Sequence, residues 1–238
     1  MAYMPPRHVW PKRFPDLTPE QQRISDDFMR HWHEELPKRY GIVDEFNHGY
    51  IAKRRPAGQQ RTLEIGAGIG EHLEYESLDD QEYHAIEYRP EMADIIRKRF
   101  PSVTVTTGDC QARLPFPDGH FTRIIAIHVL EHLPDLPAAL AEAERLLTQD
   151  GSFQVVIPCD PGFAYGLARR ISAQRIFEKR YGQSYDWFIS REHINSPDEI
   201  LSLIRKRFRI DHSSFFPLRI PVRGLNLCLG FTASKRPL

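Results

Sequence analysis

Leu63-Glu64-Ile65-Gly66-Ala67-Gly68-Ile69-Gly70 is a short apolar run that closes on three alternate glycines. Its reading decides the fold. An apolar run of this length ending in glycine reads as a buried strand entering a turn. Glycine there permits positive φ and close approach of backbone to a ligand. The next stretch, Glu71–Leu78, is predicted to be helical, which leaves its first N–H groups available. The spacing is G-x-G-x-G, whereas the dinucleotide fingerprint is G-x-G-x-x-G. Glu64 stands two positions before the first glycine. A carboxylate there repels a pyrophosphate and suits a cationic ligand group such as an amine, which argues against a nicotinamide dehydrogenase.

Outward from this segment, strands alternate with helices. Strands are predicted at Thr62–Ile65, Tyr83–Tyr88, Val103–Thr107, Arg123–Val129 and Ser152–Pro158, the last entered through a turn at Asp150-Gly151. Helices are predicted at Pro90–Phe100 and Leu136–Leu147. Such alternation implies an α/β fold with a parallel sheet and right-handed crossovers. Before it, Thr18-Pro19-Glu20 starts a helix predicted to reach about Leu36, where Pro37 interrupts, and Lys53–Gly58 reads as a linker. After it, Cys159–Ile194 breaks the rhythm with a long, aromatic, basic insert of the kind that forms lids. A helix from Ser196-Pro197 to about Lys206 and strands at Phe208–Phe216 and Leu225–Ser234 complete the chain.

A parallel sheet binds ligands beyond the carboxyl ends of its strands. Here the first three strands end on acidic residues. Glu64 precedes the glycine turn, Glu87 ends the second strand where it can accept from ribose hydroxyls, and Asp109 in Gly108-Asp109-Cys110 follows the third, placed to accept from an exocyclic amine.

Five blocks now stand in order: Leu63–Gly70; Glu87; Gly108-Asp109-Cys110 with Leu114-Pro115-Phe116-Pro117-Asp118-Gly119-His120-Phe121; His128-Val129-Leu130-Glu131-His132-Leu133-Pro134-Asp135; and Leu147-Thr148-Gln149-Asp150-Gly151. In these the sequence resembles the class I S-adenosylmethionine-dependent methyltransferases, in the small-molecule group that includes the ubiquinone/menaquinone-biosynthesis enzymes. The resemblance covers about residues 61–158. It implies a Rossmann-like seven-stranded, mostly parallel sheet of order 3-2-1-4-5-7-6 with helices on both faces and S-adenosylmethionine as cofactor. By it, Gly66, Ala67 and Gly68 lie against the methionine part, Glu87 and Tyr88 serve the ribose, Asp109 and Cys110 meet the adenine, and His128 lines the cleft near the sulfonium. Residues 1–58 are expected to be an N-terminal arm and helices that cap the acceptor site. Residues 59–238 are expected to be the methyltransferase domain, with the insert 159–195 as its lid.

His128 and His132 are the candidate catalytic residues, since a histidine of near-neutral pKa can take a proton from an acceptor hydroxyl. The alternative is that both only line the site. His128-x-x-Glu131-His132 also matches an inverted zinc-protease pattern, but that motif needs one continuous helix, and here an apolar strand ends at His128 while Pro134 follows closely. His31-x-His33 has the wrong spacing for one helix face. No metal is therefore expected. His72, Tyr165, Tyr181, Tyr185 and Trp187 are further pocket candidates. Pro158-Cys159 resembles the nucleophile of cytosine-C5 DNA methyltransferases but follows the fifth strand where theirs follows the fourth, so a nucleic-acid acceptor is disfavoured.

Composition agrees. Of 238 residues, 32 are basic and 32 acidic, so total charge implies neither a nucleic-acid nor a membrane partner. The charge is segregated, however: Glu64–Asp94 is acidic, whereas Gly162–Tyr185 and Arg205–Arg223 are basic, as an anionic acceptor (phosphorylated sugar, carboxylate or lipid-linked intermediate) would require. The three cysteines, Cys110, Cys159 and Cys228, are far apart and lack a C-x-x-C, as in a reducing cytoplasm. No apolar run is long enough to span a bilayer. The expected protein is a monomer or homodimer acting on a small molecule. A non-catalytic scaffold that binds S-adenosylmethionine is the competing reading.

Overall fold

The computed structural model describes residues 9–39 and 41–237, without the side chains of 32–39. Seven strands form one sheet: β1 (Gln60–Ile65), β2 (Gln81–Glu87), β3 (Thr104–Thr107), β4 (Phe121–Ile127), β5 (Leu147–Pro158), β6 (Phe208–Phe216) and β7 (Cys228–Lys235). Their order is β3-β2-β1-β4-β5-β7-β6, as the sequence implies. The pairings of β2–β3, β1–β2, β1–β4 and β4–β5 are parallel, and β7 runs antiparallel to both β5 and β6. The carboxyl ends of β1 to β5 therefore share one edge, and the amino end of β7 joins them, since Pro158 pairs with Cys228.

Helices α1 (Pro19–Arg39), α2 (Gly41–Ala52), α3 (Pro90–Arg99), α4 (Leu136–Leu146), α5 (Phe163–Ile171), α6 (Ala173–Tyr181), α7 (Asp186–Glu192) and α8 (Pro197–Arg207) surround the sheet. The α1 start is a reciprocal cap: Gln21 N–H donates to the Thr18 hydroxyl (3.2 Å) while Thr18 N–H donates to Gln21 Oε1 (3.1 Å). Contrary to expectation, α1 continues past Pro37 to Arg39. The α2 helix was not visible in the sequence. The expected helix at Glu71–Leu78 shrinks to a 3-10 turn at His72–Tyr75, where Leu73 N–H and Glu74 N–H bond three residues back. The expected turn at Asp150-Gly151 lies inside β5, which starts at Leu147 and shifts register between Phe121 and Arg123.

The two sheet faces differ. One buries an aliphatic cluster around Ile124, Leu140, Phe153 and Ile204 beneath α4 and α8. The other, beneath α2, carries a buried polar ladder. Arg123, 0% exposed, donates to Gln154 Oε1 (2.8 Å), Glu76 Oε1 (2.8 Å) and the Ile51 carbonyl (3.1 Å). A third cluster lies off the sheet, where α1 meets the insert: Phe28 packs edge-on against Phe177, Tyr181, Tyr185 and Phe188. The arm before α1 is also tied down, since buried Lys12 donates to the Ile194 carbonyl (2.7 Å) and Glu199 Oε1 (2.9 Å). No described helix is long and apolar enough to cross a membrane.

Candidate active site at the carboxyl edge of the sheet

The glycine turn is set by its own backbone. Gly66 and Gly68 adopt φ +66° and +59°, conformations that cost other residues about 1–2 kcal/mol. A Cβ on Gly66 would lie 2.5 Å from Val129 Cγ2. The turn is clipped to β2 by Gly66 N–H and Ala67 N–H donating to the Ile86 carbonyl (2.8 and 3.2 Å), and by Gly68 N–H donating to Glu87 Oε2 (2.9 Å).

Glu87 is buried, and its other oxygen accepts from Arg89 N–H (2.9 Å). Its carboxylate thus fixes two strand tips at once, a role the spacing did not reveal. The Tyr88 ring beside it is 72% exposed. Asp109 Oδ1 accepts from Gln111 N–H (2.8 Å) and from the Gln111 side-chain amide (2.9 Å). Burial, reinforced by Asp109, pushes the neighbouring Cys110 thiol up to about 12.

Glu64 is more enclosed than its place before the glycines suggests. It is buried and accepts from the Tyr83 hydroxyl (2.7 Å). Burial raises its pKa, while His72 and the Tyr83 hydrogen bond oppose that rise. His72 is likewise inside, bonded to Glu76 (3.0 Å) and stacked on His48 (5.5 Å). Burial drives the His48 pKa down to about 3, with the charges of His72 and His128 adding to the effect.

β4 ends at Ile127, and His128 follows at φ +52°, a left-handed conformation unusual for a residue with a side chain. Such strain concentrates at functional sites. His128 Nδ1 lies 3.1 Å from Glu131 Oε1. Burial opposes charge on the ring, but hydrogen bonds to Cys228 and Glu131 lift its pKa to about 10. His132 differs: burial lowers its pKa, against the pull of Glu131 and Glu192. His132 Nδ1 lies 2.6 Å from the Glu192 carbonyl.

The insert delivers residues that the sequence did not mark. Asp160, just after β5, pairs with Arg169 (2.8 Å) and His193 (2.8 Å). His193 sits against the His132 ring at 5.5 Å and the Tyr165 ring at 5.8 Å. Of the other aromatic candidates, Tyr181, Tyr185 and Trp187 belong to the cluster around Phe177. Cys159 is fully buried and its pKa is pushed to about 12 by that burial, so the thiol is unfit as a nucleophile. The side chain of His33 falls outside the described residues.

Residues 63–155 match the methyltransferase domain family. The chain is 32% identical over 111 residues to the uncharacterized methyltransferase YcgJ of Bacillus subtilis, covering 43% of this chain and 44% of that protein. It is 37% identical over 76 residues to the ubiquinone/menaquinone biosynthesis C-methyltransferase UbiE of Caulobacter vibrioides, covering 31% and 30%. The chain thus spans less than half the length of these curated relatives. A solved S-adenosylmethionine-dependent methyltransferase from Thermotoga maritima superposes with a TM-score of 0.63 at 22% identity, over 90% of this chain and 99% of that one, and so shares the fold. With its glycine turn, acidic strand tips and 3-2-1-4-5-7-6 sheet, the chain matches the methyltransferase domain over residues 63–155 and shares the fold of a solved S-adenosylmethionine-dependent methyltransferase.

Proposed function

We propose that the protein transfers a methyl group from S-adenosylmethionine to an O, N or C atom of a small anionic acceptor. The observation that carries this reading is the cradle at Gly66–Gly68, in which left-handed Gly66 packs under Val129 and left-handed Gly68 is held to Glu87. The residues present fit the cofactor. Gly66, Ala67 and Gly68 offer bare backbone to the methionine part, with the buried Glu64 behind them. Glu87 and Tyr88 stand at the ribose position, and Asp109 and Cys110 at the adenine position. When bound, S-adenosylmethionine supplies a methyl group on a cationic sulfonium, open to in-line attack. Such a displacement needs mainly alignment and a deprotonated nucleophile.

The chain's own residues supply those needs. His128, fixed by its strained backbone and by Glu131, lines the cleft where β4 ends. His132 presents Nε2 as the ring nitrogen not engaged by the Glu192 carbonyl, available to a proton of the acceptor. The segments before β1 and between β5 and α8 cap the site. α2 bears on it directly, since Asp44 interacts electrostatically with both Glu71 and His128.

The nature of the acceptor is inferred from α5, which leads away from Asp160. It exposes Phe163, Leu167 and Ile171, which lie at i, i+4 and i+8 on one side of the helix. The last turn of the same helix carries Arg169 and the exposed Arg170. An exposed apolar helix face with basic residues in its last turn favours an anionic, lipid-linked acceptor over a phosphorylated sugar or a simple carboxylate.

Incubation of the protein with methyl-labelled S-adenosylmethionine and fractionated cell extract tests this. Label should appear in an acidic product that extracts into organic solvent, and calorimetry should show one donor molecule bound per chain. Donor binding by calorimetry with no labelled product in any fraction would instead favour the scaffold reading.

A further inference from the structure

We propose that Glu131, His132 and His193 form a binding site for one divalent first-row transition-metal ion, of which Zn²⁺ is the representative. One ligand atom from each lies within 4.8 Å of the others. A tetrahedral ion with bonds near 2.1 Å requires ligand atoms about 3.4 Å apart, within reach of small side-chain rotations. Two histidines and a carboxylate suit a borderline ion better than Mg²⁺ or Ca²⁺.

Proximity alone would be weak evidence, but the hydrogen bonds around the cluster are specific. His132 Nδ1 faces the Glu192 carbonyl at 2.6 Å. A carbonyl only accepts, so Nδ1 carries the proton, and in the neutral ring Nε2 keeps its lone pair. His193 Nδ1 faces Asp160 Oδ2 at 2.8 Å, and the same logic frees its Nε2. Asp160 is itself gripped by Arg169 Nη1 at 3.0 and 2.8 Å. Metal-binding histidines are oriented in this way, through the second nitrogen to a carbonyl or carboxylate. The third group supplies an independent sign. Glu131 is 1% exposed, and its Oε2 has no hydrogen-bond partner among the described residues. An orphaned carboxylate oxygen inside a protein is costly. A cation held between it and the two Nε2 atoms removes that cost.

The other cluster of similar composition, Glu82, His84 and His120, lacks these features. Glu82 is exposed, and its carboxylate already occupies His84 Nε2 at 2.8 Å. Three protein ligands leave a coordination position open, as in catalytic rather than structural sites. Glu131 is also 3.1 Å from His128 Nδ1, which ties the cluster to the end of β4. If the methyl-transfer reading holds, on which this last step rests, the ion would supply Lewis acidity toward the acceptor, and His132 would be a ligand instead of a base.

The test is equilibrium dialysis of chelator-stripped protein against Zn²⁺, with the visible spectrum of the Co²⁺-loaded protein as a second readout. We expect one ion per chain and d–d bands without thiolate charge transfer. His193→Ala and His132→Ala should abolish both signals, and Asp160→Asn should weaken binding by about 10–100-fold. Glu82→Ala should change neither. Circular dichroism and melting of each variant separate loss of ligand from loss of fold. Substoichiometric binding by the wild type, or undiminished binding by folded His193→Ala, overturns the site. Donor calorimetry on the stripped protein keeps the two ideas apart: loss of donor binding there sinks methyl transfer and leaves the metal result standing.

Discussion

The proposed donor side and the proposed acceptor side of this site are built by different means. On the donor side, the backbone does most of the positioning. Gly66 and Gly68 adopt conformations that side chains resist, and the turn is bonded to β2 through the N–H groups of its three consecutive residues Gly66, Ala67 and Gly68. On the acceptor side, side chains do it. Ring contacts and single hydrogen bonds join α1, the insert and the end of β4 across more than a hundred residues of sequence. The contrast teaches that the donor side is determined by the sheet itself, whereas the acceptor side is a separable layer that can change without disturbing the donor side.

The contrast can be broken most severely from beneath. Arg123→Met should cost about 3–5 kcal/mol, the usual penalty for stranding one member of a buried ion pair, and should weaken both sides alike because the sheet supports both. Its partner gives the pH dependence. Burial raises the Glu76 pKa, but hydrogen bonds from His72 and Arg123 outweigh that and hold it at about 2. A folded value below the ordinary 4.5 means the pair stabilises fully above about pH 4.5 and loses this contribution as pH falls toward 2. Over that window the wild type should lose about 3 kcal/mol, and the gap between wild type and Arg123→Met should narrow. Urea unfolding at pH 7, 4.5 and 3 measures this. A constant gap would mean that Glu76 is not the group responsible.

Phe28→Ala should be nearly as costly but confined. Removing a buried ring costs about 3–5 kcal/mol, here mostly from the cluster between α1 and the insert. Hydrogen exchange should show α1, α6 and α7 losing protection while β1 and β4 keep theirs. Donor affinity should change by less than about twofold. Equal loss of protection across the sheet would show that the two layers are one cooperative unit.

This division also marks what the sequence made legible. The alternating strands and helices and the glycine turn are local patterns, so the spacing of Gly66, Glu87 and Asp109 was enough to find the strand tips, while the sheet order came from the family resemblance. Three things were hidden. The inward turn of Glu64 onto Tyr83 depends on which face of β1 lies under α2, a helix that the polar and aromatic Gly41–Ala52 segment does not announce. The failed helix at Glu71–Leu78 follows from His72 and Glu76 being drawn into the buried ladder. The meeting of His132 with His193 joins positions 61 residues apart through Asp160 and Glu192, and no short motif encodes it. A histidine preceding Ile194-Asn195 looks ordinary until Asn195 is seen donating to the Leu130 and Leu133 carbonyls (both 2.8 Å), which brings that loop onto the end of β4.

Gly66→Ala should have a smaller effect on stability and a selective one on binding. The left-handed backbone adds about 1–2 kcal/mol and the contact with Val129 a similar amount. Donor affinity should fall at least tenfold, with the α1–insert cluster unaffected by hydrogen exchange. Gly66→Ala combined with Val129→Ala should recover the part due to crowding. No recovery would assign the whole loss to φ.

The smallest expected effect sharpens the comparison furthest. Tyr88 stands at a donor-side tip, yet its ring is 72% exposed and contributes little to the fold. Tyr88→Ala should therefore change stability by no more than about 0.5 kcal/mol, as for surface substitutions generally. If the donor side is set by backbone alone, donor affinity should also be nearly unchanged. If the exposed ring covers bound donor, affinity should fall by several-fold at constant melting temperature, since a stacked aromatic contact is worth about 1 kcal/mol. Calorimetry beside a melting curve separates the two. The second outcome would add one side chain to a cradle otherwise made of main chain and carboxylates.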